Sequence, residues 1–189
     1  MNIDVEQTIQ SFLNSGPETR QVMLRMLSTD PEQLALLRQA IQSEKGQTSM
    51  GAAQMLAELD HPLHLQYMAE ALQTGNILVG DIAARALERH GEAAVKILLD
   101  ALPDCQPLTQ IAIVRVLEKI KSKKSVEPLM RILASAESPS LRYTIIQTLG
   151  LLGSPLAIEL IRSFEDDPDH HVRERVRTAL QRLKHDRTE

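Results

Sequence analysis

The sequence predicts an all-α fold, a right-handed α-solenoid of about six short helix–turn–helix repeats, and three observations carry that prediction. Apolar positions fall on apolar positions when the chain is displaced by about 31 residues, as they do where each repeat buries its apolar face only against its neighbours. Leu129, Met130 and Leu133 then meet Leu160, Ile161 and Phe164, and Ile145, Leu149 and Leu152 meet Val176, Leu180 and Leu183. Apolar residues recur at three and four almost everywhere, the spacing of amphipathic helices, and no stretch alternates as a strand does. Aromatic residues make up only 2% of the chain and Trp is absent, so the core is built from Leu, Ile, Val, Ala and Met.

The repeats run about 3–28, 31–60, 61–91, 92–122, 123–153 and 154–185 within a single domain spanning 1–189. The first, with Ile9, Phe12 and Leu13 and then Met23, Leu24 and Leu27, fits the pattern least, as a repeat that caps a stack does. In the second, Asp30-Pro31-Glu32-Gln33 supplies an N-cap, a Pro at N1 and a Gln at N3 ahead of Leu34, Leu37 and Ile41. Ala52, Leu56 and Leu59 follow on its second helix. The third carries Leu65, Met68 and Leu72, then Ala83, Leu87 and His90, with His90 a partly buried core histidine. The fourth and fifth carry Val95, Leu98 and Leu102 with Ile113, Leu117 and Ile120, and Val126, Leu129 and Leu133 with Ile145, Leu149 and Leu152. The sixth opens on Ser154-Pro155, read as a second cap with Pro at N1, and carries Leu160, Ile161 and Phe164 with Val176, Leu180 and Leu183. Gly91 and Gly153 stand where helices stop. Gly16-Pro17, Pro103 to Pro107, Ser138-Pro139 and Asp167-Pro168 mark turns inside repeats. The polar tail, 184–189, is expected to fray.

Charge and composition exclude several function classes. The net charge is −4, which opposes general nucleic-acid affinity, since that comes from neutralising phosphates. Residues 1–94 hold six basic and twelve acidic side chains, and 95–189 fifteen and thirteen. This asymmetry reads as solvated faces, with a polarised surface that orients a partner as the alternative. One cysteine, Cys105, forms no internal disulfide and no Cys-based zinc site. The N-terminus shows no basic and apolar signal segment, and no apolar run reaches the roughly 18 residues of a membrane span. A cytoplasmic protein is expected, with no membrane and no nucleic-acid partner.

No constellation for catalysis or metal binding emerges. His61 and His64, near Glu58 and Asp60, read as a cap and a solvated side chain. His170 and His171 are adjacent, so on a helix they diverge, and they belong to a polar turn. Cys105 reads as an exposed, unreactive turn residue: no histidine lies near it in sequence, and Asp104 raises its pKa. The run Lys119-Ile120-Lys121-Ser122-Lys123-Lys124 reads as cations favoured at a helix C-terminus, with an anchoring patch for an acidic partner as the alternative. Arg173, Arg175, Arg177 and Arg182 pose the same choice, resolved toward solvation and capping.

Two stretches carry a family resemblance. Val126-Glu127-Pro128-Leu129, Leu141-Arg142 and Thr148-Leu149-Gly150-Leu151-Leu152-Gly153 form one. Leu156 to Phe164, Asp167-Pro168-Asp169, Val172-Arg173 and Ala179-Leu180 form the next. Both resemble HEAT-like repeats of the short type, similar to those grouped with phycobilisome lyases, which attach or detach bilin chromophores. The resemblance covers roughly 92–185, and 31–91 loosely. Its Arg after the apolar residue is present as Arg142 and Arg173; Ser49, Gly80 and Gln110 stand there earlier, so no regular Arg–Asp ladder is expected in the N-terminal half. The His-Glu dipeptides of iron-binding HEAT-repeat hydroxylases are absent, as are the aromatic and basic residues of HEAT-like DNA glycosylases. The resemblance implies a non-catalytic scaffold that binds another protein, without cofactor. Its alternative is a bilin lyase subunit or phycobilisome-associated chromophore-handling protein, with phycobilin as transferred ligand and a phycobiliprotein subunit or second lyase subunit as partner.

The surface opposite the second-helix core follows from 100° per residue. With Ala83, Ala86, Leu87 and His90 as the core pattern, one outward column holds Met50, Asp81, Ile111, Tyr143 and Glu174. The next holds Gln54, Arg85, Arg115, Gln147 and Thr178. The resemblance places these columns on a concave groove. Met50, Ile111 and Tyr143 are apolar where a solvated face is polar, and Arg85 and Arg115 beside them suit carboxylates. The predicted partner-binding residues are therefore Met50, Gln54, Asp81, Arg85, Ile111, Arg115, Tyr143 and Gln147.

Overall fold

The computed structural model describes residues 4–59 and 61–185. Among them the chain forms twelve α-helices and no strand. They follow one another as pairs: α1 (Val5–Leu13) and α2 (Pro17–Ser28), α3 (Pro31–Ala40) and α4 (Gly46–Glu58), α5 (His64–Ala71) and α6 (Ile77–His90). Then come α7 (Glu92–Ala101) and α8 (Pro107–Ile120), α9 (Val126–Ser135) and α10 (Pro139–Leu152), α11 (Ile158–Arg162) and α12 (His170–His185). Pro17, Pro31, Pro107 and Pro139 each open a helix, where the missing N–H costs nothing. The architecture is an α-solenoid of helix pairs. Its helices fall into two compact units, one ending at Arg89 and the other beginning at His90.

In the first unit α1 and α5 both lie against α4, and α3 lies against α1, α2 and α4. Contact between α1 and α4 depends on Gly51, where a Cβ would stand 2.3 Å from Cγ2 of the fully buried Ile9. Phe12, Leu37, Met55, Leu56, Met68 and Leu87 complete the interior. In the second unit α10 is the central element, packed on α8, α9 and α12, while α7 covers α8 and α11 covers α12. Leu98, Ile113, Leu117, Leu129, Ile145, Leu149, Ile161 and Val176 fill that core.

Several side chains stand elsewhere than the periodicity suggests. His64 is buried, not solvated: its Nδ1 lies 2.7 Å from the Leu56 carbonyl oxygen, so the imidazole closes the C-terminal end of α4. Tyr67 and Met68 share its face and Leu65 is only half-buried, so the inward face of α5 is rotated by about one residue from the expected one. His90 is exposed, because α6 ends there and the core is closed by Ala83, Ala86 and Leu87. In the last pair Ile161 is buried as expected, but Ile158 is buried as well while Leu160 and Phe164 are only half-buried, since α11 is a single short helix entered through a 3₁₀ turn at Pro155–Ala157. That turn also leaves Ser154 without a side-chain capping bond. Asp30 does cap α3, accepting from the N–H groups of Glu32 and Gln33.

The position of the family arginine has a consistent structural use. Arg142 donates to the carbonyls of Ala136 and Glu137, and Arg173 to those of Asp167 and Pro168. Each thus ties down the end of the turn that precedes its own helix. Arg20 does the same work in the first pair, through Phe12 and Leu13, although Thr19 rather than an apolar residue precedes it. Gln110 makes one such bond, to Leu102, while Ser49 and Gly80 make none. Arg142 also forms a rung to the next pair, an ion pair of 2.8 Å with the buried Asp167.

Residues at three successive repeat boundaries have a positive φ, Gly91 (φ 53°), Lys121 (φ 60°) and Gly153 (φ 65°), and the last two are left-handed helix ends. Lys121 is the one whose Cβ resists that conformation. Replacement by glycine, Lys121→Gly, is expected to raise stability by about 0.5–1 kcal/mol in urea unfolding. A loss of stability would show that the lysine stem contributes more than its backbone costs.

Candidate functional site

Three predicted residues of the second unit meet at one place. Ile111 and Arg115 on α8 and Tyr143 on α10 line an open cavity of about 330 Å³, together with Pro139, Ser140, Thr144, Asp169 and His171. Ile111 and Arg115 are one helical turn apart and therefore share a face. Ile111 is half-buried, which leaves part of its apolar surface available, and Arg115 is exposed. Arg115 has no hydrogen bond or ion pair to another side chain among the described residues.

Tyr143 differs from its expected state. The guanidinium of Arg175, on α12, lies over its ring at 4.4 Å from the centroid and donates to its hydroxyl. Arg175 is accordingly part-buried and not solvated. The two positions are 32 residues apart, about one repeat, so the contact joins neighbouring second helices. Gln147 is also engaged: its side-chain amide donates to both carboxylate oxygens of Glu118 on α8, at 3.2 and 3.0 Å, and Thr148 donates to the same group. Its role is to bridge helices beside the cavity, whose lining does not include it.

The predicted residues of the first unit are described by themselves. Met50 and Gln54 are half-buried on α4, while Asp81 and Arg85 are exposed on α6. Sequence periodicity missed Asp169 and His171 as cavity residues. The available signal was their register, since His171 falls about one repeat after Ser140, at the start of a second helix. Asp169 caps α12, accepting from the N–H groups of His171 and Val172. The bond from Val172 leads the causes that hold its carboxyl below the usual carboxylate range, with the His171 bond and the nearby His171 and Arg142 charges adding to it.

Cys105 is partly buried and not exposed, its thiol donating to the Ala101 carbonyl at 3.1 Å. Burial, and then the Asp104 charge, push its pKa up, away from the thiolate that nucleophilic chemistry needs. His61 accepts from the Leu63 N–H and stacks on Tyr67, while His64 turns inward, so the two do not form a pair of ligands. Two lysines of the basic run are committed within the unit: Lys123 donates to the Leu152 carbonyl at the end of α10, and Lys124 pairs with Glu92 at 3.3 Å. Among the described residues no helix is long and apolar enough to cross a membrane.

The structure is similar to that of human deoxyhypusine hydroxylase in complex with glycerol, with a TM-score of 0.55 and 20% sequence identity over 96% of this chain and 74% of that one. It is similar also to an engineered protein, with a TM-score of 0.52 and 19% identity over 98% of each chain. At such identities the likeness is one of fold. No curated protein matches the sequence. The sequence pattern of HEAT repeats matches residues 70–147 and, in an overlapping placement, 95–181, together more than half of the chain. The chain belongs to the HEAT-repeat family.

Proposed function

We propose that the chain is a non-catalytic scaffold that binds another protein through the face of α8, α10 and α12. The observation that carries this reading is the cavity in which the apolar Ile111 and the unpaired cation Arg115 stand beside the clamped ring of Tyr143. That combination suits a protein segment presenting a carboxylate to Arg115 and an apolar side chain to Ile111, the usual division between an apolar anchor and a charge that fixes orientation. Tyr143, held by Arg175, offers a rigid wall that loses little entropy on binding.

A test uses residues whose side chains the fold does not need. The double variant Ile111→Ser with Arg115→Glu is expected to lose a partner recovered with the wild-type chain from its host and identified by mass spectrometry. Affinity should fall by about a hundredfold or more, with helicity and melting retained. Equal recovery by both chains would remove this face from the account.

Bilin handling is the second reading, and the same cavity supports it, because Arg115 and His171 could both meet a propionate. It has less support: one face of the Tyr143 ring is already covered by Arg175, which limits stacking on a tetrapyrrole. Mixing the protein with phycocyanobilin, alone and with a phycobiliprotein subunit, decides it. An absorption shift abolished by Arg115→Glu supports bilin binding, and an unchanged spectrum excludes it.

A further inference from the structure

His170, His171 and Glu174 lie in the first turns of α12, and their donor atoms all fall within 4.8 Å of one another. Adjacent helical residues diverge by about 100° about the helix axis, which is the basis for expecting the two histidines to part. Glu174 lies one turn further on, about 40° from His170 and about 60° from His171, and so projects between them. The two rings lie near each other, with centroids 5.3 Å apart and planes at 71°.

We propose that these three side chains form a binding site for a borderline divalent transition-metal ion, with Zn²⁺ as the test ion. Two imidazoles and one carboxylate are a donor set that Zn²⁺ accepts. An ion with bonds of about 2.1 Å holds its donors about 3.4 Å apart in a tetrahedron, a closure that rotation of exposed side chains supplies. All three residues are exposed, and no hydrogen bond or ion pair occupies the ring nitrogens or the carboxylate among the described residues. Two arginines of α12 beside the triad point elsewhere: Arg173 is bound to the carbonyls of Asp167 and Pro168, and Arg175 to Tyr143. Three protein ligands leave a fourth position open. Since His171 also belongs to the wall of the Ile111–Arg115 cavity, an ion here adds a positive charge and a free coordination position at the rim of that cavity.

The test is calorimetric titration of the untagged, metal-free full chain with Zn²⁺, with Co²⁺ absorption as a second readout of the ligand set. The expected result is saturable binding of one ion per chain, weakened about tenfold or more in each of His171→Ala and Glu174→Gln. His61→Ala is expected to bind as the wild type does, which separates this site from the other histidine cluster. Glu174→Gln keeps the helix shape and reads the site even if His171→Ala disturbs the start of α12. Absence of saturable binding, or unchanged binding in both triad variants, overturns the proposal.

Discussion

Gly150→Val is expected to lower stability by about 3 kcal/mol, the upper part of the range for overpacking a tight interior. For a chain of this size that is a fall of about 10 °C in melting temperature. The reason is the approach of α10 to α12. A Cβ on Gly150 would stand 2.8 Å from the Ala179 Cβ and 3.1 Å from its Cα, so the obstruction is backbone and cannot swing aside. Even Gly150→Ala, which gains roughly 1 kcal/mol of helix propensity, should come out destabilising. Adding Ala179→Gly should recover part of that loss beyond additivity, because the two sites share one contact. Urea unfolding of the four chains measures the coupling, and simple additivity would mean that the helices separate at no cost.

Arg142→Ala is expected to cost about 3 kcal/mol as well, by a different route. It leaves the buried carboxylate of Asp167 without its counter-charge and frees the carbonyls of Ala136 and Glu137. Arg142→Lys should recover little, since one ammonium cannot serve a carboxylate and two carbonyls with the geometry of a guanidinium fork. By contrast, Arg142→Met combined with Asp167→Leu should approach wild-type stability, because replacing both partners leaves no buried charge. If the single variant melts like the wild type, the rung is ornamental and the order of the α9–α12 turns comes from apolar packing alone.

These two positions show what the sequence made legible. The pattern Leu141-Arg142 and Asp167-Pro168 announced the rung, because a repeated motif states its own geometry. The glycine of Thr148-Leu149-Gly150 was legible only as part of the repeat motif, and its close approach to Ala179 emerged from the structure. The all-α repeat fold was legible for the same reason: prolines and apolar spacing are local signals, and a repeat multiplies them. What escaped depended on small rotations. His64 turned inward because its imidazole reaches the Leu56 carbonyl at the end of α4, and Leu65 and Leu160 lost their core places to neighbours one to three residues away. Arg20 was hidden because its role lies in reaching the carbonyls of Phe12 and Leu13, not in the residue before it.

The candidate site was legible in part. Ile111, Arg115 and Tyr143 came from helical geometry applied to the outward face, and the fold brings them to one cavity. The engagement of Tyr143 by Arg175 and of Gln147 by Glu118 was not, since such pairings depend on side-chain reach between helices about one repeat apart. His170 and His171 diverge as backbone positions, yet meet through Glu174 one turn on.

We propose that the α8–α10–α12 face receives a protein partner. The most direct measurement is site-specific photocrosslinking in the native host, with a photoreactive side chain at position 115 and, for comparison, at position 131 on the exposed side of α9. A discrete adduct that Ile111→Ser suppresses is expected from position 115, and none of that mass from position 131. The same adduct from position 131, or an adduct from 115 that Ile111→Ser leaves intact, would contradict it.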